Sequence, residues 1–220
     1  MLTDVREALR YLGCRGEPPA DLLRQAERTA AELERRAAPH WVWRLFELTG
    51  PDRLDLGEGG PRLTGALAAR ALRDCGRAAV LVCSLGAAYD AWHRTVSARD
   101  MAGAALLDAC ASALTEAGCA QAEAEIRARC PGAHLTDRFS PGYGDLPLSL
   151  QPALLRICDA ERRLGVTATE SCMLLPVKSV TALIGLSPRP QPALIRGCAC
   201  CPLAPACAYR REGTTCAAPD

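Results

Sequence analysis

The chain has 220 residues, 49% hydrophobic, 4% aromatic and 23% charged, with a net charge near +1. That is enough apolar material for one large domain or two small ones with a core of Leu, Ala and Val. The near-neutral charge and the lack of a basic stripe or aromatic RNA-binding run exclude nucleic acid as an expected partner. The opening MLTDVREALR is charged and lacks a secretory apolar region. No apolar stretch nears the ~18 residues of a membrane span. The expectation is a soluble, cytoplasmic protein with no membrane partner.

Residues 3–12, TDVREALRYL, fit a helix with Thr3 as N-cap and Gly13 as the stop. GEPP is a linker, and 20–38 is a second, stronger helix. WVWRLFEL (41–48) is aromatic and β-branched, which predicts a strand. Residues 50–65 hold two short strand-like pieces around Gly-Gly-Pro, the pattern of a hairpin. GALAARALRDC is helical. AAVLVCSLG (78–86) is a continuous apolar run closed by glycine, which suits a buried strand. Residues 87–97 and 100–129 are helical by composition, the second unusually long. SLQPALLRICDAERRLG (149–165) predicts one helix ended by Gly165. VTATESCMLL and SVTALIGLS predict a strand pair around Pro176, and a tail begins near Pro188. No internal repeat is visible. Strands and helices interleave without a βαβ rhythm, which predicts an α+β fold. No GxGxxG fingerprint or Walker loop is present.

The thirteen cysteines divide in two. Cys14, Cys75, Cys83, Cys110, Cys119, Cys130, Cys158 and Cys172 are scattered through apolar pattern, where a thiol acts as a small hydrophobe. Cys198, Cys200, Cys201, Cys207 and Cys216 crowd the C-terminus. Such clustering without a signal peptide favours metal binding or redox chemistry over disulfides. His40, His93 and His134 lack metal-ligand spacing and read as structural or exposed.

Between the long helix and the next lies RFSPGYGDLPLSLQ, residues 138–151. Pro141 fixes its own φ and Gly142 can take positive φ, which predicts a type II turn. Gly142 and Gly144 would let a ligand approach the backbone. Arg138 carries a planar donor fork suited to a carboxylate or phosphate, and Tyr143 offers a ring and a hydroxyl. These parts could hold a small anionic or zwitterionic ligand. They could equally form an ordinary surface turn, since so short a pattern recurs by chance.

Three motifs in order carry a more specific message. RFSPGYGDLPLSLQ is followed by LGVTATES and then PVKSVTALIG. Together they resemble the activation domain of cobalamin-dependent methionine synthase, in its small free-standing form. RYLG (10–13) and CSLG (83–86) also resemble those forms. The resemblance runs over roughly residues 5–187 and is weaker before residue 130. It implies an α+β domain, 1–187, with a twisted antiparallel sheet and flanking helices, followed by a Cys-rich tail, 188–220.

The resemblance implies S-adenosylmethionine as ligand. Arg138 would take the carboxylate of its methionine part. The backbone of Ser140, Pro141 and Gly142 and the ring of Tyr143 would line its adenosine part. Glu170, in TATES, and Glu123, on the long helix, match family acids. Glu170 could instead cap a turn or pair with Lys178, while Lys178 and Ser179 are expected to hold a strand turn. The implied function is an accessory one, the reductive methylation of cob(II)alamin, with a flavodoxin-like or other protein as electron donor. The task would be orientation of a methyl donor, with no general base. The chain lacks the Asp-x-His-x-x-Gly segment of cobalamin-binding modules. Cobalamin would therefore be held by a separate methionine synthase or other corrinoid protein. Two alternatives are a non-catalytic S-adenosylmethionine sensor or corrinoid-protein docking module, and an iron–sulfur electron-transfer protein.

In the tail, Cys198, Cys201, Cys207 and Cys216, with Cys200 as a substitute, could ligate an iron–sulfur cluster or zinc, or remain reactive thiols. Spacing does not choose among these readings.

Overall fold

RAAVLVCS is apolar on both faces because both faces are covered. In the computed structural model, which describes residues 1–57, 59–195, 197–198, 201 and 204–213, it forms strand β3 (Arg77–Ser84) at the centre of the sheet. It pairs antiparallel with β1 (His40–Thr49) on one side. On the other it pairs with β7 (Ser179–Ser187), from Arg77 opposite Leu186 to Ser84 opposite Ser179. Two-residue strands β2 (Asp55–Leu56) and β4 (His134–Leu135) close the edges. The order is β2-β1-β3-β7-β4. A separate small hairpin joins β5 (Thr167–Ala168) to β6 (Leu174–Leu175).

Side chains on alternate residues sort the core into two layers. Ala78, Val80, Val82, Phe46 and Leu183 face a layer with α3 (Ala66–Ala71), α6 (Gln151–Ile157) and α7 (Ala160–Leu164). Ala79, Leu81, Cys83, Ala182 and Ile184 face Cys119, Ala122 and Ile126 of α5 (Met101–Arg129). The other half of α5 is wrapped by α1 (Val5–Tyr11), α2 (Ala20–Arg36) and α4 (Ala87–Ser97). Cover on several sides explains why α5 is apolar nearly all round. At 29 residues it is ~43 Å long. Among the described residues no helix is long and apolar enough to cross a membrane. The fold is α+β with an antiparallel sheet and flanking helices, as the sequence implied.

Several local expectations differ from what forms. The cap of α1 is Asp4, whose carboxylate accepts from Glu7 N. Thr3 is buried and donates its hydroxyl to Glu34 at 2.7 Å. The 50–65 hairpin shrinks to β2 and an Asp55–Arg62 bridge. The helix expected over 149–165 is three pieces: a 3-10 turn at Leu148–Leu150, then α6, then α7. Asp159, with φ +53°, breaks the last two apart. The strands flanking Pro176 do not pair with each other. The first folds on itself as the β5–β6 hairpin, and the second joins the main sheet against β3.

The eight scattered cysteines are buried or half-buried thiols. Burial pushes Cys75 and Cys110 up to about 11 and Cys158 up to about 12. Cys75, Cys110 and Cys158 therefore stay protonated at neutral pH and pack as apolar groups.

Candidate functional site

The segment after β4 runs along β7 and delivers the predicted loop. Thr136 N donates to Gly185 O at 3.0 Å. Phe139 and Leu183 exchange both backbone hydrogen bonds, at 3.0 and 2.7 Å. Phe139 is fully buried and pegs this edge into the core. Gly185 permits the close approach: a Cβ there would meet Cys75 Sγ at 2.6 Å and Leu72 Cδ2 at 2.9 Å.

The loop beyond the peg is a pair of turns. Tyr143 N donates to Ser140 O at 3.0 Å, and Gly142 has φ +92°. Those are the closing bond and the positive φ that a type II Pro-Gly turn requires. Leu146 N then donates to Tyr143 O at 3.0 Å. Asp145 ties the loop to α3, accepting from Ala66 N at 2.5 Å and Leu67 N at 3.0 Å. These amides, Leu67 first, hold its carboxyl below the usual 3.8. With the folded pKa below the unfolded one, its stabilisation is complete above pH 3.8 and fades as pH falls through the depressed value. We expect Asp145→Ala to lower the midpoint of thermal unfolding at pH 7. Scans repeated at descending pH should show wild type and variant converging in strong acid.

Arg138 is buried, with its side chain 4% exposed. Its guanidinium donates to Glu116 Oε2 at 2.6 Å and also to Glu123, both on α5. Burial opposes its charge, but the neighbouring Cys119, Glu116 and Glu123 outweigh that and raise its pKa. Below it, Cys83 and Cys119 share a hydrogen bond, which with burial pushes the Cys83 thiol well up. In this cluster one guanidinium faces two carboxylates. Glu116 is half exposed at the wall of a cleft.

That cleft has a volume of about 520 Å³ and gathers Arg138, Ser140, Tyr143, Glu116, Gln151 and Thr181. Tyr11 and Ile195 border it too. Its size falls within the range of small-molecule sites. Tyr143 is 50% exposed, so its ring is open to a ligand. Thr181 donates its hydroxyl to Gln151 Oε1, which fixes the buried amide at the floor. Burial first, then the Glu7 carboxylate, pushes the Tyr11 hydroxyl above its ordinary range, leaving it a neutral donor.

Of the residues expected at the site, Arg138, Ser140 and Tyr143 line the cleft. Pro141 and Gly142 shape the turn, and Glu123 sits behind Arg138. Glu170 is exposed in the turn of the β5–β6 hairpin, whose Leu174 borders the cleft. Lys178 pairs with Asp108 at 2.9 Å instead of with Glu170, and bonds Ser112 Oγ at 2.9 Å. Ser179 both bonds Ser84 Oγ at 2.8 Å and borders the cleft. Sequence reasoning missed Glu116, Gln151, Thr181 and Ile195. Gln151 and Thr181 had a local signal, as members of the first and third quoted motifs.

In the tail, Cys198 is exposed and Cys201 and Cys207 are half-buried. Among the described residues no three His, Cys, Asp or Glu side chains come together to hold a metal. Cys198, Cys201 and Cys207 are therefore not assembled as a ligand set. Cys200 and Cys216 lie outside the described residues.

The five-stranded antiparallel sheet with helices on both faces matches the fold of a methionine synthase reactivation domain. The particular likeness is to the crystal structure of the MetH reactivation domain bound to AdoHcy, S-adenosylhomocysteine. It has a TM-score of 0.66 and 16% sequence identity, covering 97% of this chain and 82% of that one. No protein-family model matches the chain, and no curated protein sequence does.

Proposed function

We propose that the chain binds S-adenosylmethionine in the Arg138 cleft and supports reductive methylation of cob(II)alamin on a separate methionine synthase or related corrinoid protein. The observation that carries this reading is the meeting of the Ser140–Tyr143 turn with the Arg138–Glu116–Glu123 cluster at one cleft, on a fold shared with a domain crystallised with AdoHcy.

The residues present fit the ligand. Tyr143 offers an aromatic face for an adenine. Ser140, at the start of the turn, offers a hydroxyl at the cleft for a polar group of the ligand. The half-exposed Glu116 carboxylate at the cleft wall suits a ligand carrying a sulfonium and an ammonium. Arg138 thus has two tasks. It holds the two acids of α5 in place, and its remaining donors can meet the ligand carboxylate. The ligand supplies a methyl group, which with one electron converts cob(II)alamin to methylcobalamin and leaves S-adenosylhomocysteine. Nothing in this requires a proton to move, so the cleft's work is orientation.

The test uses calorimetry with S-adenosylmethionine, then an anaerobic assay. The assay follows loss of cob(II)alamin absorbance on a methionine synthase, with a chemical reductant, with and without this chain. Binding together with faster loss supports the proposal. Binding without acceleration favours the sensor or docking reading, and neither effect sinks both.

A further inference from the structure

Ile195 belongs to the C-terminal segment, yet it borders the cleft beside Arg138, Tyr143 and Gln151. The cause is Asp137. Its Oδ2 accepts from Leu194 N at 2.7 Å and from Ile195 N at 2.9 Å. Two donors on one carboxylate oxygen are charge-assisted bonds, stronger than neutral ones. The approach from β7 is also pinned: Ser187 Oγ accepts from Arg189 N at 3.2 Å and from Gln191 Nε2 at 3.0 Å. Leu194 and Ile195 then pack on the core layer that contains Phe139. Asp137 precedes Arg138, so one backbone segment sends successive side chains to the C-terminal strap and to α5.

We infer that Ile195, carried by the segment 191–195, forms part of the wall of the ligand site, that Asp137 is the positioning residue holding this segment in place, and that ligand binding and docking of this segment reinforce each other. The inference rests on the reading of the cleft as a nucleoside-sulfonium site. The physical reason is linkage: a ligand that touches only the docked wall binds that state better and shifts the segment toward it. A second consequence concerns the cysteines. Cys198 is three residues past Ile195, so the start of the Cys-rich stretch lies within about 11 Å of chain from the cleft wall.

The experiment titrates the full chain with S-adenosylhomocysteine and follows amide hydrogen exchange across 188–195 with and without it. Wild type should exchange more slowly in this segment when ligand is bound. Asp137→Ala should weaken binding on the order of tenfold, the scale of one lost charge-assisted contact. Asp137→Asn keeps an acceptor oxygen and should stay within about threefold of wild type. Ile195→Ala trims the wall but leaves the clasp, so it should weaken binding while the ligand-free exchange of 188–195 stays as in wild type. Wild-type binding with both alanine variants unaffected, or with ligand leaving exchange of 188–195 unchanged, overturns the inference and spares the reading of the cleft. No binding by wild type overturns the cleft reading, and this inference with it.

Discussion

Arg138→Ala is expected to cost the fold about 3–5 kcal/mol and to abolish ligand binding, because truncating one partner of a buried ion pair is strongly destabilising. The groups that lose this cation are Glu123, whose side chain is 19% exposed, and Glu116, at 46%. Solvent screens the Glu116 contact, so most of the cost falls on Glu123. Urea unfolding reads the stability and calorimetry reads the ligand. The double variant Arg138→Ala/Glu123→Gln removes the Glu123 charge as well and should recover at least about 1 kcal/mol. It should not recover binding. Arg138→Lys provides a point charge in place of a fork and should bridge only one of the two acids. A variant at position 138 as stable as wild type would mean that the cluster is not the anchor described above.

The second large effect is at Phe139. Its ring is fully buried, and its backbone is doubly bonded to Leu183. Phe139→Ala should cost about 3–5 kcal/mol through the cavity it leaves. Because Asp137, Arg138 and Ser140 flank it, ligand affinity should fall as well. Leu33, equally buried among α1, α2 and α5, is the control. Leu33→Ala should cost about 2–5 kcal/mol while leaving affinity unchanged in the folded fraction. Equal ligand affinities for the two variants would argue that the peg does not set the loop.

What the sequence disclosed follows from how local each feature is. AAVLVCS and the run from 100 to 129 announce a buried strand and a long helix because their composition alone demands it. The Ser140–Tyr143 turn was legible for the same reason, since Pro-Gly fixes backbone angles without outside help. The break at Asp159 was not legible: 149–165 keeps a helical composition throughout, and only packing reveals a left-handed residue in its middle. The edge segment from His134 to Phe139 was also invisible, because it pairs through two short contacts and never alternates long enough to resemble a strand. The site divides the same way. Ser140, Tyr143 and Gln151 come from one motif, but Glu116 and Ile195 reach the cleft from two separate elements, and only tertiary structure brings them there. Glu170 lies in the turn of a hairpin that folds on itself, and that hairpin reaches the cleft through Leu174.

Helix α5 carries a consequence for how this protein can change over time. Asp108 and Ser112 hold Lys178, Glu116 and Glu123 hold Arg138, and Cys119 lies between them under the cluster. At about 100° per residue these five positions fall within an arc of roughly 80°. They act as a keyway, cut along one line of a long shaft. Inserting or deleting a single residue near the middle of α5 would turn one half of the keyway about 100° from the other, separating the Lys178 latch from the Arg138 latch. The length of this helix is therefore constrained as firmly as its buried faces are.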